Sequence, residues 1–274
     1  MPSPLLACPV CAQPLARHGA AFRCEAGHAY DVARSGYVNL LLANQRRSKD
    51  PGDDKAMMAA RAAFLDAGWY APVAEALADA VLADLAAVRV VDVGCGEGHY
   101  LRRLRELSDR PLDLHGLDIS RHAVEAAAKR DPAGLYAVAG AHRLPLITAA
   151  ADALISHFAP LEAAEAHRAL RPAGRLIVGA PGPRHLFGLR TLVYETPTEH
   201  PEFAPLTEGF ALIAETRVRY GLELRDAQAV AALIGMTPYA WAADARERLA
   251  GLERLDTEVD VIIRTYERRD LAPR

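Results

Sequence analysis

From Val88 onward, short apolar runs rich in β-branched residues alternate with stretches of helical period. The runs Val88–Val93, Leu112–Leu117, Leu135–Ala139, Ala153–His157 and Arg175–Ala180 predict strands, and Tyr100–Leu107, Ser120–Arg130 and Glu162–Leu170 predict the helices between them. Strand and helix alternating at this spacing imply right-handed βαβ crossovers and a parallel, doubly wound sheet. Two later segments, Phe210–Leu224 and Glu258–Arg268, sustain strand alternation for longer and predict an antiparallel edge pair. Upstream, Asp53 to Ala87 is Ala-rich and periodic, and its break at Ala67-Gly68-Trp69-Tyr70 predicts two helices meeting at a turn. Residues 1 to 30 carry no helical period and are rich in Cys, Pro, Gly and His, so they predict short strands and knuckles that need a staple. The chain divides accordingly into a small module at 1–42, a linker and helical region at 43–87, and an α/β domain at 88–274. Ala43 to Gly52, polar and basic, reads as an exposed arm.

Composition adds limits. With 274 residues and 51% hydrophobic content, the chain can fill one large core and carry one small accessory module. A formal net charge of -3 gives no global positive field, so any nucleic-acid contact must come from local patches. The Met-Pro-Ser-Pro start lacks a basic region followed by an apolar run, and no segment approaches the roughly 18 apolar residues of a membrane span. A cytoplasmic protein without a membrane partner is expected. Three of the four cysteines lie within the first 24 residues, beside a histidine, which suits a metal site in a reducing compartment better than a disulfide framework.

That cluster reads Cys8-x2-Cys11-x12-Cys24-x3-His28 and supplies two ligands from each of two tight turns. Four ligands close a tetrahedron and leave no position for water, so the predicted zinc is structural. A thioredoxin-like role for Cys8 and Cys11 lacks the strand-helix surroundings it needs.

The second constellation is Val90-Val91-Asp92-Val93-Gly94-Cys95-Gly96-Glu97-Gly98: an acidic residue at the end of an apolar strand, then Gly-x-Gly-x-Gly, then a helix. Glycines let the backbone approach a ligand where a Cβ would clash. No Gly-Lys-Ser/Thr ending permits a P-loop. The next strand ends in Asp118, about 20 residues on, placed to take the hydroxyls of a ribose; its alternative is a helix-capping role ahead of Ser120. Cys95 reads as a small buried residue.

Together these signals resemble class I S-adenosylmethionine-dependent methyltransferases, a Rossmann-like doubly wound sheet with an antiparallel edge pair, here with a zinc-binding module added. In that resemblance Asp92, Gly94, Gly96 and Gly98 hold the amino-acid part of S-adenosylmethionine and Asp118 its ribose. The whole chain further resembles the bacterial 23S rRNA (guanine-N1)-methyltransferases of the RlmA type. The resemblance rests on Cys8-Pro9-Val10-Cys11, Gly27-His28-Ala29-Tyr30, Ser35-Gly36-Tyr37-Val38-Asn39, Met57-Met58-Ala59-Ala60-Arg61, Phe64-Leu65-Asp66-Ala67-Gly68-Trp69-Tyr70, His142-Arg143-Leu144-Pro145, Phe158-Ala159-Pro160, Pro181-Gly182-Pro183-Arg184-His185 and Met236-Thr237-Pro238-Tyr239. It implies that Tyr70 and His185 contact the cofactor beside Gly96 and Glu97, and that the substrate is a 23S rRNA hairpin.

Departures are mild: Tyr30 stands where a Phe is common, Pro172-Ala173-Gly174 replaces a Pro-Gly-Gly turn, and Leu161 follows Ala159-Pro160 where a polar or thiol residue occurs. His157, Phe158 and Pro160, after the fourth predicted strand, are the expected walls of a pocket for an extruded base. Arg46, Arg47 and Lys49 are expected to join the zinc module in holding RNA phosphates. The group that takes the proton from guanine N1 is not identified, and a homodimer is left open. Two other readings stand beside this one: a small-molecule methyltransferase with a structural zinc ribbon, and a non-catalytic RNA-binding cofactor sensor.

Overall fold

The computed structural model describes residues 5–45, 52–84, 86–241, 248–249 and 251–271. Arg46, Arg47 and Lys49 of the basic arm lie outside the described residues.

Three short strands open the chain, β1 (Ala16–His18), β2 (Ala21–Arg23) and β3 (Ala29–Asp31), paired in that order as an antiparallel sheet. The two-residue strand β4 (Val38–Asn39) follows. Helices α1 (Lys55–Asp66) and α2 (Ala71–Leu82) meet at the predicted break. The Asp54 side chain caps α1 by accepting from Met57 N, and Pro72 stands in the first turn of α2, where its missing N–H costs nothing. Next come β5 (Arg89–Val93), α3 (His99–Leu107), β6 (Asp113–Asp118), α4 (Arg121–Arg130), β7 (Leu135–Val138), β8 (Ala151–His157), α5 (Ala163–Ala169) and β9 (Leu170–Pro181). The chain ends through α6 (Phe187–Val193), β10 (Phe210–Leu224), α7 (Ala227–Gly235) and β11 (Leu255–Arg268).

The large sheet has eight strands in the order β10-β11-β9-β8-β5-β6-β7-β4. The pairs from β9 through β8, β5, β6 and β7 to β4 are parallel; β11 is antiparallel to both β9 and β10. The expected doubly wound sheet with its antiparallel edge pair is thus present, and β10 has the predicted bounds. Not foreseen were α6, α7 and β4. Through β4 the N-terminal module enters the large sheet, with Val38 opposite Ala137 and Asn39 opposite Val138.

Alternation along the central strands sends side chains into two cores. Val90, Leu114, Ala153 and Ile155 join the residues of α1, α2, α3, α4, α6 and α7 on one face. Val91, Val93, Leu117 and Leu154 join the other, where the covering residues come from α5 and from the N-terminal module: Leu5, Leu6, Leu15, Phe22, Val38 and Leu40. A zinc-scale module therefore does the work of a helix layer on this face. It is held by backbone bonds, Ala7 N to Pro145 O at 2.9 Å and Ile147 N to Leu5 O at 2.8 Å.

Candidate active site and metal centre

Cys8, Cys11, Cys24 and His28 converge, their ligand atoms all within 4.8 Å of one another. Cys11 Sγ is 3.7 Å from Cys24 Sγ, and His28 Nδ1 is 3.4 Å from Cys24 Sγ and 3.6 Å from Cys8 Sγ. A tetrahedron with zinc–sulfur bonds of about 2.3 Å has edges of about 3.8 Å, so the cluster has the size of a zinc site. Backbone bonds shape both knuckles: Cys8 N to Gln13 O and Ala12 N to Cys8 O in the first, Gly27 N to Cys24 O in the second. Gln13 Oε1 ties them together by accepting from Ala26 N at 3.0 Å.

On the large sheet, β5 ends at the glycine loop, where Gly94, Gly96 and Gly98 all have positive φ. Gly94 also needs to be glycine for space, since a Cβ there would stand 2.3 Å from the Cβ of Ala159. Asp118, at the end of β6, accepts from Gly96 N at 2.9 Å and from Ser120 N at 2.7 Å, so it fixes the loop from the neighbouring strand. The cap of α4 is the Ser120 side chain, which accepts from Ala123 N.

Asp92 is buried and its Oδ1 has no hydrogen-bond partner. Burial, with repulsion from Asp118 second, pushes its carboxyl up to about 8. Burial likewise raises Asp118. Among the described residues neither forms an ion pair with a side chain, and at Asp118, which lines a cavity, this favours a ligand carrying hydroxyls and positive charge. Glu97 is engaged differently: its Oε2 is bonded by Arg102 at 2.9 Å and Arg130 at 2.8 Å, and Arg130 also grips Asp66. The Glu97 carboxylate thereby braces the glycine loop against α3 and α4.

Two cavities meet at Gly94, Phe158 and Arg61. One, of about 800 Å3, is lined by Asp118, Ile119, Gly140, His142 and Pro160 among others. The second, of about 310 Å3, is lined by Tyr70, Gly96, Glu97, His157, His185 and Tyr239 among others. Tyr70 and His185, both buried, bond through Oη and Nε2 at 3.2 Å. His157 is buried with Nε2 3.0 Å from Tyr100 Oη, and burial lowers it to about 3. Phe158 has positive φ, is half-exposed, and packs 4.2 Å from the His157 ring and 5.2 Å from the His185 ring. Most of the predicted residues therefore gather at one place, with Pro160 and Asp118 on the larger cavity and the aromatic and imidazole groups on the smaller, while Asp92 and Gly98 line neither.

Sequence reasoning missed Arg61, Tyr100, His200 and Tyr239 as cavity residues. Arg61 lines both cavities and pairs with Asp53 at 2.6 Å. Its signal was available, because it closes the Met57–Arg61 motif on the helix that leads to Tyr70.

Residues 6–49 match the family model "RlmA, N-terminal", a zinc ribbon, and residues 90–177 match a methyltransferase domain. A relative from Streptomyces fradiae, named 23S rRNA (guanine(748)-N(1))-methyltransferase, is 40% identical over 252 residues, 88% of each chain. The chain belongs to the RlmA-type 23S rRNA (guanine-N1)-methyltransferase family. A relative from Micromonospora griseorubida, provisionally named for the same guanine-N1 activity, is 36% identical over 94% of each chain. Another, from Bacillus subtilis strain 168 and also provisionally so named, is 31% identical over 93% of this chain and 94% of its own.

As a member of the RlmA family, the chain is an S-adenosylmethionine-dependent methyltransferase with one structural zinc. The cofactor fits what is present: an unpartnered buried carboxylate at Asp92, a glycine cradle that a Cβ would fill at Gly94, and Asp118 at the end of the adjoining strand. No described helix is long and apolar enough to cross a membrane.

Proposed function

We propose that this enzyme transfers a methyl group from S-adenosylmethionine to N1 of a guanine in a 23S rRNA hairpin, in the cytoplasm. The observation that carries this reading is the Streptomyces fradiae relative, named for guanine-N1 methylation of 23S rRNA and matched over 88% of both chains.

The cofactor supplies a methyl group on a sulfonium, which a nitrogen lone pair takes by in-line displacement. The protein's part is alignment and the handling of charge. Asp118 would hold the ribose hydroxyls, while Asp92 with Gly94, Gly96 and Gly98 would hold the methionine end. Glu97 acts through its brace to Arg102 and Arg130. The Tyr70–His185 pair closes the other side of the smaller cavity. Phe158, at the junction of the two cavities, would stack on an extruded base, with His157 behind it and Pro160 at its edge. Zinc stays outside the chemistry, because its four ligands close the site. We assign the ribbon, residues 1–42 with the adjoining arm, to RNA positioning and residues 88–274 to transfer.

The test is labelled methyl transfer to unmodified 23S rRNA compared with transfer to a small-molecule extract of the same cells. Incorporation into the RNA supports the reading; incorporation only into small molecules would favour the alternative methyltransferase.

A further inference from the structure

One cation beside the smaller cavity has no counter-ion among the described residues. Arg190, on α6, forms no ion pair with a carboxylate among the described residues, and its buried Nε has no partner. Its Nη1 instead lies 3.0 and 3.1 Å from the two ring nitrogens of His200 and 3.4 Å from Tyr239 Oη. His200 and Tyr239 both line the cavity, together with Phe158 and His185.

A guanidinium only donates. Nη1 stands at nearly the same distance from both ring nitrogens, so either can carry the lone pair it meets, and the other then carries the ring proton. Tyr239 Oη likewise accepts from Arg190, and it lies 3.5 Å from His200 Nε2. Desolvation and the adjacent guanidinium lower the basicity of His200, against a hydrogen bond to the His185 backbone that raises it. The groups around it are Arg190 from α6, His185 from the loop before α6, Tyr239 from the turn Pro238–Trp241, and its chain neighbour Glu199, which pairs with Arg184.

Several other titratable groups on this wall are engaged elsewhere, whereas His99 lies 4.0 Å from Asp66 and His157 Nδ1 has no partner. His185 accepts from Asp260 N and bonds Tyr70, His157 bonds Tyr100, Glu97 is held by two arginines, and Arg61 pairs with Asp53.

Resting on the substrate read above, we propose that His200 and Tyr239, polarised by Arg190, donate to the O6 edge of the target guanine and stabilise the anion formed as N1 loses its proton. In the transfer the N1–H bond breaks and its proton passes to solvent water. The N1 lone pair forms the new bond to the methyl carbon, and the carbon–sulfur bond breaks with its electron pair returning to sulfur. Negative charge that would spread over N1, C6 and O6 meets the two donors, so N1 is ionised more readily in the site than in water. His200 and Tyr239 are catalytic residues in this scheme and Arg190 a positioning residue behind them.

The experiment is the pH profile of single-turnover methylation on a 23S rRNA fragment for the wild type, Arg190→Gln, His200→Ala and His200→Gln, with cofactor affinity measured in parallel. At neutral pH the first two variants should lose about 10- to 100-fold in rate, with their profiles moved to higher pH and converging on the wild type in alkali. His200→Gln, which keeps an N–H donor, should lose less. Placing 8-azaguanine, whose N1–H is more acidic, at the target position should restore the variants selectively at neutral pH. Profiles lowered in parallel at every pH, with no rescue, would overturn the inference while leaving the substrate intact. A wild type inactive on the RNA would instead remove the substrate reading and this inference with it.

Discussion

The Tyr70 hydroxyl lies 3.2 Å from Nε2 of His185, a residue 115 positions away in sequence, and both are buried. Nδ1 of the same ring accepts from Asp260 N at 3.3 Å, so the proton sits on Nε2 and is given to Tyr70 Oη. Burial lowers His185 to about 3 and raises Tyr70 well above its usual range, which keeps both neutral. The Tyr70 O–H is left to donate into the cavity. Tyr70→Phe should cost roughly 1–3 kcal/mol of stability, because His185 Nε2–H loses its acceptor. Cofactor affinity, measured by calorimetry, should fall by about tenfold; unchanged affinity would remove Tyr70 from the cofactor's partners.

Asp92 predicts a pH dependence. An unfolded aspartate titrates near ~3.9, whereas the folded carboxyl is pushed up to about 8. The folded, cofactor-free chain thus binds the extra proton, and this contribution is full below the unfolded value and is lost as pH rises through the folded one. Melting temperature without cofactor should decline between pH 5 and 8, and Asp92→Asn should flatten the decline and weaken cofactor binding. Equal slopes in the two proteins would contradict the assignment of an uncompensated charge to Asp92.

The zinc ribbon covers part of one sheet face, so metal removal should have a structural signature. Chelation, or Cys24→Ser, is expected to raise hydrogen exchange at Leu6, Leu15 and Phe22 and at their partners Leu144 and Leu146. RNA affinity should drop more than cofactor affinity, since Asp92 and the glycine loop belong to β5 and its turn. Loss of both to the same degree would mean that the ribbon supports the whole fold rather than RNA positioning.

Phe158 is 43% exposed and borders both cavities. An aromatic platform under a base contributes about 1–3 kcal/mol, so Phe158→Ala should reduce methylation by roughly 5- to 150-fold. Cofactor affinity should change by less than about threefold. Full turnover in the variant would exclude Phe158 from the base pocket.

What the sequence made legible follows from how local each signal is. The zinc ligands and the glycine loop are short-range spacings and could be read directly. Phe210–Leu224 alternates for long enough that its bounds were evident. Strand β4 is two residues long and has no period to detect; only its pairing with β7 makes it a strand. Helix α6 starts from Leu186, at φ 52° and without a side-chain cap, so no capping residue announced it. Helix α7 did carry a signal, the Asp226 cap to Ala229 N ahead of Val230 and Leu233. The Arg190–His200–Tyr239 group joins three segments that no spacing rule connects.

The most direct measurement is the position of the methyl group. The purified chain should be incubated with labelled S-adenosylmethionine and unmodified 23S rRNA, and the product digested to nucleosides and mapped by primer extension. The expected product is 1-methylguanosine at a single hairpin guanine, seen as one new stop. Label confined to small molecules, or a methyl on another atom or base, would contradict it.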